Sequence, residues 1–382
     1  MNKHKIFYIV VAIFWFTLYA YVPYVTPYAE YLGASMRLMG LIAGAYGFTQ
    51  MAIRFPLGIF SDKIRKRRIF TQIGMGFAAL AGFVAFFFPS PVMLLVMRAF
   101  GGVAASAWVT FTILGASYYP PEASTKVMGN LSSLNALGRM AALLAGAIVA
   151  QFLGIQYAFL LAGIGGIIGL ALSLKITENR PAQKSALTLK DLFAVATNKQ
   201  LLYCSILGIL AMYISFATTF GFTPIAAARL YATPFQLGLL GVLSTAPAIV
   251  VGPMAGNTIP KKIGPTPTLI IGFIMAAVGS ILVAVSHQLW VLFVVQIFAS
   301  IGVAITTTLL MGLCIRDIAQ EKRATAMGFF QAVYGFGMFI GPVATGFIGA
   351  SLGLMAAFVV TGAIGLVGAV LTAAFGRRSL NM

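Results

Sequence analysis

The sequence predicts an all-α membrane protein with twelve transmembrane helices in two halves of six. Three observations predict it. Of the 382 residues, 60% are hydrophobic and only 8% are charged, with a mean hydropathy of +0.98, whereas soluble domains run at about 45–50% apolar and about 25% charged. The apolar residues gather into twelve runs, each near the roughly 20 residues a helix needs to cross a bilayer core. The second half of the chain repeats the first. The composition excludes a soluble enzyme, a nucleic-acid binder and a disordered scaffold, because a soluble fold of this length needs more polar surface than the chain owns.

The runs fall at about 6–28, 37–60, 70–88, 91–116, 127–151, 155–175, 200–222, 235–256, 266–285, 288–313, 325–349 and 354–375. The first follows Met1-Asn2-Lys3-His4-Lys5, as a signal peptide would begin. It is too long for a signal's apolar segment and no clean small-residue cleavage site follows, so it reads as a retained span. With the N-terminus in the cytoplasm, the inside segments hold 20 Lys and Arg and the outside segments hold 2, Arg37 and Arg229, while Arg54, Arg98 and Arg139 lie within spans. That bias predicts a multi-pass protein of the cytoplasmic (inner) membrane with both termini inside. It also accounts for the formal charge of +18 without a nucleic-acid partner. The one long loop, 176–199, divides the chain into six-helix halves at 1–175 and 200–382, and its stretch Leu187–Phe193 has the pattern of a short surface helix. Cys204 and Cys314 lie inside apolar runs, so neither a disulfide framework nor a Cys/His metal site is expected.

The repeat shows when the chain is slid by 199 residues. Glu122 meets Glu321, Met128-Gly129 meets Met327-Gly328, Gly138 meets Gly337, and Gly154 meets Gly353. Ala158-Phe159 meets Ala357-Phe358, and Gly163, Gly166 and Gly169 meet Gly362, Gly365 and Gly368. At an offset of 194, Gly44, Gly47 and Gly58 meet Gly238, Gly241 and Gly252. An even number of spans per half makes this a parallel repeat about an axis along the membrane normal. The glycines themselves read as packing residues, since small side chains let helices approach closely in lipid.

The most specific local feature is Gly58-Ile59-Phe60-Ser61-Asp62-Lys63-Ile64-Arg65-Lys66-Arg67-Arg68, at the end of the second run. It resembles the loop 2–3 signature of the major facilitator superfamily, Gly-x-Leu-Ala-Asp-Arg-x-Gly-Arg-Arg/Lys. Gly58, Asp62, Lys66 and Arg67 fall on the pattern, Phe60 and Lys63 are conservative stand-ins, and Arg65 replaces the second Gly. The resemblance implies that Asp62 holds the cytoplasmic gate closed near the start of helix eleven. A second match, Leu94-x-x-x-Arg98-x-x-Gly101-Gly102-x-Ala104-Ala105, is similar to the family's helix-four motif, with Gly101 for Gln and Ala104 for Gly. It implies that Arg98 faces a central cavity and serves substrate or proton coupling. The alternative is a clamp on helix-end carbonyls. The equivalent position in the second half is Gln296. Gly129 and Gly138 keep the spacing of the family's antiporter motif in helix five, but Arg139 stands where that motif has Pro, which weakens a drug-export reading. The resemblance covers essentially the whole chain and implies two six-helix bundles around a cavity that opens alternately to each side.

A buried Arg costs about 2.5–3.5 kcal/mol on insertion scales and persists only with partners or a task. Arg139 lies about three turns into its helix, while Arg54 faces either the cavity or the cytoplasmic rim. Against these cations the chain has seven acids, none between 192 and 316. That imbalance favours an anionic or zwitterionic substrate over a cationic drug, and the solute is read as a small organic, anionic or amphipathic molecule. Glu30, beside the outer end of span one, is the candidate coupling carboxylate, its alternative being a solvated loop acid. Span one is rich in aromatics, among which Tyr19 and Tyr24 are candidate cavity hydroxyls, while Pro23 and Pro27 bend its outer half.

The expected function is secondary active transport of a small organic solute, by proton-linked export or exchange. The alternatives are organic-anion uptake by symport or facilitated diffusion and, more remotely, a transport-dead receptor or assembly protein. No phosphate-cradling loop, acid–His cluster or nucleophile triad marks an ATP-driven pump or an enzyme. The expected partners are the solute, protons and the lipid bilayer, with no cofactor and no metal, and the chain is read as a monomer.

Overall fold

The computed structural model describes residues 3–64, 66–119, 124–178, 197–319 and 322–380, which are helical apart from short turns. Span one is α1 (Lys3–Tyr19), a 3-10 turn at Val22–Tyr24 and α2 (Val25–Tyr31). The break follows from Pro23 and Pro27, which cannot donate backbone hydrogen bonds. Span two is α3 (Met36–Ile64) and span three α4 (Arg67–Phe87). Span four is α5 (Pro91–Ser106) and α6 (Trp108–Ala116). Spans five and six are α7 (Ser124–Phe152) and α8 (Ile155–Ser173). Span seven is α9 (Lys199–Ala217), a π-helical turn at Thr218–Phe222 and α10 (Thr223–Arg229). Span eight is α11 (Pro234–Pro253), a second π turn at Met254–Thr258 and α12 (Ile259–Ile263). Spans nine and ten are α13 (Pro265–Ala284) and α14 (Leu289–Leu313).

The last element, α15 (Arg323–Leu380), is 58 residues long, and at about 1.5 Å per residue it exceeds any bilayer core. It contains two spans, divided where Gly353 takes φ +87°. By length and hydropathy alone ten stretches are long and apolar enough to cross a membrane. One of these, Thr325–Gly376, is the pair divided at Gly353, and α3 completes the twelve. Two helix starts carry a side-chain cap: Ser90 Oγ accepts from Met93 N–H at 3.3 Å and Asn198 Oδ1 from Leu201 N–H at 2.9 Å. The surface helix expected at Leu187–Phe193 lies outside the described residues.

The chain forms two compact units. Unit 1 holds Met1–Val25, Thr49–Thr188 and Pro234–Leu239, and unit 2 holds Thr26–Phe48, Leu189–Thr233 and Leu240–Met382. Each unit therefore borrows a segment from the other half of the sequence. In unit 2 the borrowed part of α3 lies against the first limb of α15. A Cβ at Gly40 would stand 2.5 Å from the Pro342 carbonyl oxygen, one at Gly44 2.8 Å from that of Phe339, and one at Gly47 2.6 Å from Met338 Cβ. In unit 1 the borrowed turn of α11 is held by Tyr24, whose hydroxyl donates to the Pro234 carbonyl at 3.2 Å, and by Gln151, whose side-chain oxygen accepts from Phe235 N–H at 3.0 Å.

The glycine repeat has a structural counterpart inside each unit. In unit 1, Gly163, Gly166 and Gly169 of α8 press on Phe83, Ala79 and Met75 of α4. In unit 2, Gly362, Gly365 and Gly368 press on Ile281, Ala277 and Phe273. Gly138 meets the Ala12 carbonyl and Gly337 meets the Ile209 carbonyl, each too close for any Cβ. Gly154 and Gly353 both take a left-handed φ, +113° and +87°, at the turns where the chain reverses direction.

Candidate functional site

In unit 1, helices α1, α3, α5, α6 and α7 bring several polar and aromatic side chains into the apolar interior. Arg98 on α5 is 3% exposed, and its guanidinium lies against the hydroxyl of Tyr21, a fully buried residue whose ring stacks on Phe159. Arg54 on α3 is also buried. On α7 the Arg139 guanidinium carbon sits 4.2 Å from the centre of the Tyr19 ring, a cation–π contact. The Tyr19 ring is 5.9 Å from that of Trp15, which in turn packs edge-on against Trp108 at 5.1 Å. Around this aromatic cluster, Trp15 Nε1, Asn135 Oδ1 and Arg139 Nε are buried atoms without a hydrogen-bond partner among the described residues. Asn135 is one helical turn before Arg139, on the same face of α7.

Two further expected cavity residues have polar partners of their own. The Tyr24 hydroxyl donates to the Pro234 carbonyl, and the side chain is fully buried. Gln296 lies in unit 2, fully buried, donating to Thr219 Oγ1 at 3.0 Å and Ser300 Oγ at 3.1 Å. A buried amide must find such partners, and in the absence of a charge they are neighbouring hydroxyls. Glu30 is a third exposed and accepts from Arg229 at 2.7 and 3.3 Å within unit 2. It is neither a simple solvated loop acid nor an interior carboxylate.

At the basic loop, Gly58 stands in open space near the end of α3, Lys66 is exposed, and Arg67 opens α4. The Asp62 side chain lies outside the described residues. The carboxylate that meets the start of α4 belongs to Glu178, which accepts from the backbone N–H of Arg67 at 2.6 Å and of Arg68 at 3.2 Å. This satisfies two of the donors a helix start leaves open and sets negative charge against its positive end. Arg68 closes the arrangement by donating to the Leu174 carbonyl at 2.7 Å, and Tyr118 donates to the Thr177 carbonyl at 2.6 Å. Burial first, and then the Glu178 charge, push the Tyr118 phenol up, which keeps its proton in place as a donor.

Sequence reasoning missed Glu178 and Tyr21 as partners, and Asn135 as a neighbour of Arg139 on the same helix face. Asn135 was legible as an amide in an apolar run one turn from Arg139. Nothing local marked Glu178, because its partners are 110 and 111 residues away.

Apolar helices long enough to cross a bilayer, with Arg54 and Arg98 buried among them, define a multi-pass membrane protein. The family model of the Major Facilitator Superfamily matches residues 7–231 and 204–380. The chain is similar to an uncharacterized MFS-type transporter of Methanocaldococcus jannaschii, 25% identical over 342 residues that cover 87% of each protein. It is also 25% identical to the multidrug resistance protein MdtG of Proteus mirabilis, over 90% of this chain and 88% of that one. A single-site variant of the nucleoside transporter NupG has the same fold, with a TM-score of 0.83 at 14% identity over 98% of this chain and 99% of that one. The chain belongs to the major facilitator superfamily.

Proposed function

We propose that this transporter carries a small organic, anionic or amphipathic solute across the cytoplasmic membrane by alternating access, as proton-linked export or exchange. The carrying observation is the charge balance around the unit 1 cluster. Arg98, Arg139 and Arg54 lie within spans, whereas the described carboxylates are engaged elsewhere: Glu30 on Arg229, Glu178 on the start of α4 and Asp317 on Arg316. Interior cations of this kind are expensive in lipid and are characteristic of a substrate pathway. The basic loops face the cytoplasm, both termini lie inside, and the halves 1–175 and 200–382 rock about the cavity as a monomer. Asp62, with Gly58, Lys66 and Arg67, forms the cytoplasmic gate. Glu30, paired with Arg229, is the coupling carboxylate.

A second reading, uptake of an organic anion by symport or facilitated diffusion, is favoured by Arg139 standing where the antiporter pattern of the family has Pro. Multidrug and nucleoside carriers among the similar proteins set the first compounds to screen. The experiment is a ligand-stabilisation screen of the purified protein, followed by counterflow in proteoliposomes. Arg98→Ala is expected to abolish exchange of the anion found, with expression intact. A cation as the best ligand, still exchanged by Arg98→Ala and Arg139→Ala, would overturn the reading.

A further inference from the structure

We infer that the Trp15–Tyr19–Asn135–Arg139 cluster is the solute site itself and that it takes a planar aromatic carboxylate. The inference rests on the anion reading above and narrows it to a substrate class. Tyr19 holds the planar Arg139 guanidinium at 4.2 Å from its ring centre. A flat group therefore fits on that ring, and a second aromatic ring matches the same face. When the solute ring takes this place, the guanidinium is displaced toward the carboxylate, with which its planar fork pairs.

The orphaned atoms supply the rest of the recognition. Trp15 is 7% exposed, and its indole N–H has no acceptor among the described residues. Arg139 Nε–H has none among them either, and Asn135 Oδ1 lacks a donor there. Buried polar atoms are nearly always paired, so three unpaired ones on two touching helices mark a place for a ligand. α1 and α7 touch where Gly138 meets the Ala12 carbonyl, and a Cβ there would stand 3.2 Å from Trp15 Cβ. The centre of the Trp15 ring and Arg139 Cζ lie at most about 10 Å apart, the two distances to Tyr19 laid end to end. One benzoate-sized molecule reaches both. Two donors ask for an oxyanion, and the one acceptor asks for a hydroxyl or N–H on the same ring.

The three tryptophans make the test direct. Trp290 is 65% exposed and lies outside the cluster, so Trp290→Phe leaves only Trp15 and Trp108 as fluorophores. Benzoate is expected to shift the emission of this variant saturably. Cyclohexanecarboxylate should bind at least tenfold more weakly, benzylamine should not saturate, and in calorimetry hydroxybenzoate should bind more tightly than benzoate. By thermal shift, Trp15→Phe keeps a ring but removes the N–H, and should weaken benzoate about tenfold. Arg139→Gln should abolish binding. Equal binding of benzoate and cyclohexanecarboxylate, or an unchanged benzoate affinity in Trp15→Phe, overturns the inference. So does the absence of saturation by any of the four probes. If cyclohexanecarboxylate is exchanged in proteoliposomes by an Arg98-dependent route without preference for benzoate, the inference fails while the anion reading stands. If benzylamine binds best, both fail.

Discussion

Gly40→Ala tests whether the α3–α15 contact is a working seam. The added Cβ would stand 2.5 Å from the Pro342 carbonyl oxygen and 3.1 Å from Gly346 Cα, both backbone atoms. Carbon–oxygen contacts settle at about 3.3–3.6 Å, so the helices must part by most of an ångström. Overpacking of this kind costs about 1–3 kcal/mol. The better helix propensity of Ala, about 1 kcal/mol over Gly, accrues whether the seam is open or shut, and so it cancels from the gating equilibrium. The net effect is a shift of about 5- to 150-fold toward the parted state, at 1.4 kcal/mol per factor of ten. Val343→Cys is the reporter, because a Val343 methyl is 3.0 Å from where a Gly44 Cβ would stand. Cys204 and Cys314 are buried and form a quiet background. Labelling by an impermeant maleimide added outside should accelerate in Gly40→Ala by up to that factor, with the protein still folded. An unchanged labelling rate and unchanged transport would refute the reasoning, since the backbone clash would then have been relieved without parting the helices.

Three further outcomes follow from the same structure. Glu178→Gln weakens both bonds to the start of α4 and should cost about 0.5–2 kcal/mol, the range of a lost helix cap, read as a lower apparent melting temperature in detergent. Glu30→Gln should leave counterflow intact and abolish pH-gradient-driven accumulation in paired proteoliposome assays. Because the pair is a third to a half exposed, its loss should lower stability by no more than about 1 kcal/mol. Gradient-driven accumulation surviving in that variant would remove Glu30 from coupling. Asp62→Asn should raise labelling of cytoplasmic-side cysteines, and unchanged labelling with normal transport would exclude it from the gate.

Hydropathy, proline and charge along the chain were enough to read the class of protein, the twelve spans, the bend in span one at its prolines and the repeat. They also singled out Arg98 and Arg139, because a charge in an apolar run is conspicuous wherever it points. These properties are local: hydropathy, proline and charge act within one helix or one loop. The partners were decided only by the tertiary structure. Glu30 and Arg229 are 199 residues apart, Tyr24 and Pro234 are 210 apart, and Glu178 finds its helix start over a separation of 111. Gly40, Gly44 and Gly47 were legible as small residues, but not as the face that meets α15. Lipid provides no hydrophobic force to specify which helices pair, so the choice falls to steric fit between backbones and to the few polar atoms that must find each other, and neither is written in any single segment.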